Sequence, residues 1–468
     1  MFTNLAQYAP IERTFLYVTE KNLNRTIRYT YCTMNDTIKT ILYGWMEKQI
    51  PESIPREINL EKYLDNKPKK IIVITGFRRV GKTYLMLQLI ETLLKKSDKE
   101  QEVYINFDDE RIPEQTAFLT ELLPTIKQIF SKKTNRLFLD ELQDIPQWSK
   151  WLRRIYDNEE IELFITGSSS KVSSREIPTE LRGRCLEIRV FPLSFKEFLT
   201  FKQIKIDTSR LPYAETEKTM VFKALDEYLT FGGMPEIVLA EDTKKSEILQ
   251  QYYGTVVRRD IIERYHVKNE EGLKAVLRLL LNARHYSISR LHNTLKSLQY
   301  KIGKTTLLHY LQYVENSYFI YSVPIFSYKI KDQLHYARKV YFIDNGFITS
   351  LSTRHSKDVG RLYENCVAIE LLRRHPNLET ELYYWSDRRG KEVDFIVKQG
   401  LQITQLIQVC SDIDDYETKR REISALLKAS EELHCNNLLI ITGDYTGVEE
   451  TKQKKIQFVP LSQWLLSS

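Results

Sequence analysis

The stretch from Ile71 to Leu89, IIVITGFRRVGKTYLMLQL, limits the folds open to this chain more than any other. An uncharged apolar run, Ile71 to Ile74, has the composition of a buried strand. It breaks into Gly76-Phe77-Arg78-Arg79-Val80-Gly81-Lys82-Thr83 before helix-forming residues begin at Tyr84. Strand, loop and helix joined by G-x-x-x-x-G-K-T is the pattern of a phosphate-binding loop. Glycines at both ends let successive backbone N–H groups turn inward on a polyphosphate, and the next helix presents its positive end. Lys82 then reaches the outer phosphates and the Thr83 hydroxyl can ligate Mg²⁺. Residues 76–84 are the expected nucleotide-binding segment. The chain contains its own control, because Gly303-Lys304-Thr305 repeats the tripeptide. There Leu298 takes the place of the first glycine and no buried strand precedes it, so that copy reads as a turn before a helix.

A second signal has to accompany such a loop if it is to act chemically. Leu137-Phe138-Leu139 runs into Asp140-Glu141, an apolar strand ending in adjacent carboxylates. In the same domain as the loop, Asp140 is the expected Mg²⁺ ligand and Glu141 the base that polarises an attacking water. Val103 to Phe107, Glu162 to Thr166 and Cys185 to Val190 also read as strands, alternating with helices, which predicts a parallel sheet covered on both faces. The fourth strand ends in Gly167-Ser168-Ser169-Ser170, where Ser168 would either orient the water or cap the next helix. Leu181-Arg182-Gly183-Arg184 leads into the last strand. An arginine there is placed to act as a finger for its own site or a neighbour's; Arg182 and Arg184 both qualify, and Arg184 is preferred.

With 468 residues the chain exceeds one core and calls for roughly two to four domains. Its 69 basic and 62 acidic residues permit a polyanionic partner without requiring one. Five scattered cysteines, none in C-x-x-C, argue for a reducing compartment and against a disulfide framework. No window approaches the roughly 18 apolar residues of a membrane span. The expected address is the cytoplasm, with no membrane partner. Met1 to Thr33 is polar and without periodicity, and reads as a loosely attached extension or a misplaced start. Asn35-Asp36-Thr37 signals a helix start before the amphipathic Ile38 to Gln49. Pro51, Pro55 and Pro68 then mark a linker.

GFRRVGKT (76–83), LFLDE (137–141), ITGSSS (165–170), LRGR (181–184), FPLSFKEF (191–198) and FGGMPE (231–236) occur in one order. That set resembles the prokaryotic AAA-type (P-loop) ATPases carrying a C-terminal domain of unknown function with a restriction-endonuclease-like core. The resemblance implies an α/β chain whose cofactors are ATP and Mg²⁺, and the following domains: an extension (1–33), a P-loop ATPase core (34–190), a helical lid (191–263), a winged-helix segment (264–356) and an endonuclease-like α/β domain (357–468). It also implies that Lys82, Thr83, Asp140, Glu141 and Arg184 match the family's phosphate, magnesium, base and finger positions.

The C-terminal half bears on partners. Ile288 to Leu298 and Lys304 to Tyr313 read as two helices joined at Gly303, followed by β segments Phe319 to Pro324 and Lys339 to Ile343. Lys296, Lys301, Lys304, Lys329, Lys331, Arg338 and Lys339 recur there among tyrosines, which makes DNA a candidate partner, with a protein-binding module as the alternative. Farther on, Glu364 on a helix, Asp394 in EVDFIV and Gln408 on a third strand would converge where nucleases of the resembled fold gather carboxylates around Mg²⁺. Gln408 and Cys410 stand where such a site needs a carboxylate and a lysine, so the expected state is a degenerate site. The reading is an ATP-hydrolysing switch or motor and candidate homo-oligomer. An ATP-gated nuclease and a non-hydrolysing scaffold are the alternatives.

Overall fold

The structure is a computed structural model and describes residues 33–167, 179–207, 214–352, 358–375 and 381–467. Of the N-terminal extension only Thr33 falls within them. It begins the first helix, Met34–Glu47, by a capping box with Asp36, two residues ahead of the start signal read from Asn35.

Five strands build the first sheet: β1 Ile71–Gly76, β2 Glu102–Asn106, β3 Arg136–Asp140, β4 Glu162–Gly167 and β5 Cys185–Val190. All pairings are parallel, in the order β2-β3-β4-β1-β5. Every residue of β1 is buried, because helices cover both faces of the sheet. Ile71 and Val73 face one core, with Leu137, Leu139 and Ile165, while Ile72 and Ile74 face the other. Parallel strands share one carboxyl edge, and ligands of open α/β sheets bind there. The G-x-x-x-x-G-K-T loop, Asp140 and Gly167 all lie at that edge.

Helices follow at Phe195–Phe201, Glu215–Phe231, Pro235–Leu239 and Asp242–Thr255, the last running without a break into a π-helical stretch, Val256–Glu263. After helix Glu270–Leu281 comes a small antiparallel sheet ordered β6-β8-β7. It is made of β6 His285–Tyr286, β7 Ile320–Val323 and β8 Arg338–Phe342, and helices Ile288–Ser297 and Lys304–Asn316 lie between β6 and β7.

Helix Val359–Arg374 opens the last region. Its strands are β9 Leu382–Ser386, β10 Glu392–Gln399, β11 Gln402–Cys410, β12 Leu438–Thr442, β13 Gly447–Thr451 and β14 Lys454–Pro460, ordered β13-β14-β12-β11-β10-β9. This second α/β sheet is antiparallel from β9 to β11 and parallel across β11, β12 and β14. The hairpin β13–β14 has no counterpart in the sequence reading. β13 is a polar edge, Gly447–Thr451 being nowhere fully buried, whereas β14 lies inside the sheet and buries Ile456 and Phe458 in alternation.

The regions share a core. Apolar side chains are continuous from Ile72 and Ile74 through Phe195 and Tyr228 to Phe342, Val367 and Leu439. Polar joints fix the register between them. Asn365 exchanges two hydrogen bonds with the backbone of Phe342, at 2.7 and 2.9 Å, tying helix Val359–Arg374 to β8. Asp344, buried just after β8, accepts the N–H of Gly233 at 2.7 Å and of Gly346 at 2.8 Å, and so holds FGGMPE to the end of the small sheet. Burial pushes the Asp344 carboxyl up to about 6 despite these donors.

A carboxyl raised on folding favours the folded state most at low pH, and that contribution is lost as pH climbs through the folded value. The stability of wild type relative to Asp344→Asn should therefore fall by on the order of 3 kcal/mol between about pH 4 and pH 7. Denaturant unfolding of both proteins across that range measures it, and a pH-independent difference would contradict it.

Candidate nucleotide site

The phosphate loop takes its shape from contacts behind it. At Gly76, φ is +146° and a Cβ would lie 2.2 Å from the Val190 carbonyl oxygen, so β5 leaves room only for glycine. Gly81 begins helix Lys82–Leu93 at φ +95°, a left-handed conformation that glycine adopts without strain. Between them Phe77 and Val80 are buried, whereas Arg78 and Arg79 point to acidic residues of later helices. Arg78 forms a two-point ion pair with Asp260, and Arg79 reaches Glu236 at 3.1 Å and lies 4.5 Å above the Tyr252 ring. Phe77 packs on Phe319 and Phe347, with ring centroids 6.0 and 5.5 Å away. Tyr84 sits in the first turn of the helix with its ring exposed.

Lys82 is buried, and its ammonium donates to the carbonyls of Gly76 and Phe77, each at 3.2 Å. The nearest carboxylate, Glu141, stands 3.9 Å off. Burial holds Lys82 below the ordinary lysine range, which Glu141 and Asp140 partly offset. An ammonium so enclosed, without a close counter-ion, suits an incoming anion.

Asp140 ends β3 and is 2% exposed. Its Oδ2 accepts from the hydroxyls of Thr83 at 2.8 Å and Tyr104 at 2.9 Å, and its Oδ1 from the Thr166 hydroxyl. Burial raises its pKa against the pull of those donors. Glu141 turns the chain through a left-handed conformation at φ +56°, its N–H donating to Thr166 Oγ1 at 3.1 Å. Gln143 donates to its carboxylate at 2.6 Å. Lys82, Thr83, Asp140 and Glu141 thus meet at one edge, and the Thr83–Asp140 pair is a set of hard oxygen donors of the kind Mg²⁺ takes.

Two expected residues are not seen at the site. Ser168 lies outside the described residues. Arg184 sits at the opposite end of the sheet, where its carbonyl accepts the N–H of Ile71 at 2.8 Å and its side chain pairs with Asp157 at 3.2 Å. Because β5 runs parallel to β1, the residue before β5 is beside the start of β1, about 17 Å of strand from the loop. That corrects the reading of Arg184 as a finger for its own chain's site.

Other residues at the site gave no recognisable signal. Arg56, in the stretch read as a linker, donates to Val80 O at 2.8 Å, Phe191 O at 3.0 Å and both oxygens of Glu197. Burial would raise the Glu197 carboxyl, yet the Arg56 guanidinium and the N–H groups of Ser194 and Glu57 hold it below the usual glutamate range. Among the described residues, the Thr166 hydroxyl meets both Asp140 and the backbone N–H of Glu141.

A second cluster brings Glu364, Asp394 and Gln408 together around a residue expected elsewhere. Lys339, one of the basic residues that make DNA a candidate partner, points inward on β8 and is 2% exposed. Its ammonium lies 2.8 Å from Glu364, 2.7 Å from Asp394 and 2.8 Å from Glu392. Tyr341 donates to Glu364 at 2.7 Å, and Gln408 accepts the Asp394 N–H at 3.2 Å while donating to Glu422 at 2.5 Å. A fixed cation thus stands at the point where these carboxylates converge. No group of three or more His, Cys, Asp or Glu able to hold a metal ion occurs among the described residues.

Family comparison agrees with the geometry of the first site. A family model described as an AAA domain matches residues 68–199, and models of two domains of unknown function, DUF8612 and DUF4143, match 222–358 and 359–464. The uncharacterized protein MJ1544 of Methanocaldococcus jannaschii is 40% identical over 410 residues, covering 86% of this chain and 89% of that protein. The chain belongs to its family, one of AAA-domain proteins. An uncharacterized protein of Haemophilus influenzae is 28% identical over 423 residues, covering 88% of this chain and 98% of its own. Among solved structures the Walker-type ATPase PABY2304 of Pyrococcus abyssi is similar at 15% identity and TM-score 0.44, covering 62% of this chain and 93% of that one. In this AAA family member the P-loop α/β core is followed by a second α/β domain, matched only as one of unknown function. No described helix is long and apolar enough to cross a membrane.

Removing one partner from a buried ion cluster leaves the others uncompensated. Lys339→Met should therefore lower stability by about 3–5 kcal/mol. Chemical denaturation measures the loss, and a change below about 1 kcal/mol would mean that the lysine is dispensable to the carboxylates.

Proposed function

We propose that this protein is an ATP-binding and ATP-hydrolysing switch that couples the state of its nucleotide site to its C-terminal regions. The observation that carries the reading is the convergence of Lys82, Thr83, Asp140 and Glu141 at the carboxyl edge of a parallel sheet. Lys82 and the N–H groups of residues 77–83 hold the phosphates, and Thr83 with Asp140 holds Mg²⁺. The ion, when bound, neutralises charge on the transferred phosphoryl group. Glu141 orients and polarises the attacking water, with Gln143 and Thr166 fixing its carboxylate and backbone. Arg184, by its position, can serve only a neighbouring copy.

Phosphate release by wild type should require Mg²⁺. Glu141→Gln should retain ATP but lose about 100-fold or more in rate, the scale of general-base catalysis. Lys82→Ala should lose binding. Equal release from all three proteins would refute hydrolysis at this site.

The region 285–342 supports duplex DNA as a partner. Its two helices and small sheet have the order of a winged helix, and the second helix exposes Lys304, Thr305, Leu308 and His309. Retention of duplex DNA should weaken steeply with salt, as phosphate contacts require. Retention indifferent to salt, or none at low salt, would remove DNA from the reading.

A further inference from the structure

The loop residue Arg78 carries an observation that nucleotide binding alone does not use. Its Nε and Nη2 donate to the two oxygens of Asp260 at 2.9 and 3.0 Å, across 182 residues of chain. Arg78 is partly exposed, and Asp260 is 7% exposed. The pair is therefore a strong, fixed one. Asp260 lies within Val256–Glu263, the π-helical part of the helix that begins at Asp242. Such stretches are rare, interrupt α-helices and are frequent at functional sites. Here the aim of Asp260 is at the loop.

The charges around the pair identify its competitor. Asp260, Glu141 and Asp108 all act on the Arg78 guanidinium, and Asp260, Glu141 and Asp140 act on the Lys82 ammonium. Two cations and four carboxylates thus share one electrostatic neighbourhood, and Glu141 marks the side where a terminal phosphate would stand. A bound polyphosphate repels Asp260 and offers Arg78 a second two-point acceptor, in the oxygens of a phosphate.

We infer that Arg78 senses the terminal phosphate of a nucleoside triphosphate, which competes with Asp260 for its guanidinium and so releases helix 242–265 at its π-helical stretch. The inference rests on the nucleotide reading proposed above and adds the regulation of that site. It assigns Arg78 as a sensor within its own chain, and Asp260 as the residue that holds the sensor when no triphosphate is bound.

The test is equilibrium binding of adenylyl imidodiphosphate and of ADP, each with Mg²⁺, to wild type, Asp260→Asn, Arg78→Ala and the double variant. Asp260→Asn should bind the triphosphate analogue about tenfold more tightly, the scale of a charge-assisted hydrogen bond freed from competition, and ADP nearly as before. That gain should vanish in the Arg78→Ala background. A gain that persists without Arg78 would show only the loss of a repelling charge and would overturn the latch. Amide exchange of residues 256–263 in wild type supplies a readout that does not depend on variant folding. It should accelerate with the triphosphate analogue and not with ADP, and unchanged protection at saturation would overturn the inference. If wild type binds neither nucleotide, the nucleotide reading itself fails and the latch with it. Binding by wild type, with Asp260→Asn unaltered, defeats the latch alone.

Discussion

The phosphate loop is gripped from behind, and the rest of the architecture depends on that grip. Phe77, the second residue of the loop, is buried against Phe319 and Phe347, which belong to the regions after the nucleotide core. Arg56 spans Val80 of the loop, Phe191 at the end of the sheet and Glu197 on the next helix. A loop that only cradled phosphate would need neither. Close-packed cores switch between arrangements rather than deform smoothly, so a ligand that moves Phe77 moves what is packed on it. This gives physical content to the proposed coupling between the nucleotide site and the C-terminal half.

How much of this was legible in the sequence depended on range. β1, β3 and the loop announced themselves because a parallel strand buried on both faces is uniformly apolar, and because glycine, lysine and threonine do their work within eight residues. Both carboxylates at the end of β3 were legible for the same reason. Arg56, Asp260 and Lys339 were not, since their partners lie 141, 182 and 55 residues away and neither periodicity nor local composition encodes such pairs. Arg184 was misplaced because adjacency to the last strand does not reveal that a parallel strand begins at the end of the sheet remote from the site. The edge strand β13 is illegible because an exposed edge needs no apolar alternation, and β14 offers only the short alternation of Ile456 and Phe458 among lysines.

In the C-terminal region a lysine occupies the point where the carboxylates of the expected nuclease-like site meet. Glu364 and Asp394 converge as a metal-dependent nuclease would need, yet the cation between them is the ammonium of Lys339, covalently part of β8. Asp394 is pushed up to about 7 by burial, against the pull of that ammonium. Gln408 serves as a structural hydrogen-bonding group linking Asp394 to Glu422. A lysine cannot leave or exchange as a metal does, so the cluster works as a strut between the small sheet and the last domain.

All of this presupposes that the loop takes a nucleotide, which calorimetric titration of the intact protein with ATP and Mg²⁺ measures directly. Two temperatures are needed, since the heat of binding changes with temperature and can vanish at one of them. The account predicts saturable heat at one site per chain, absent when inorganic phosphate replaces ATP. Heat absent at both temperatures, with the protein folded, would contradict it.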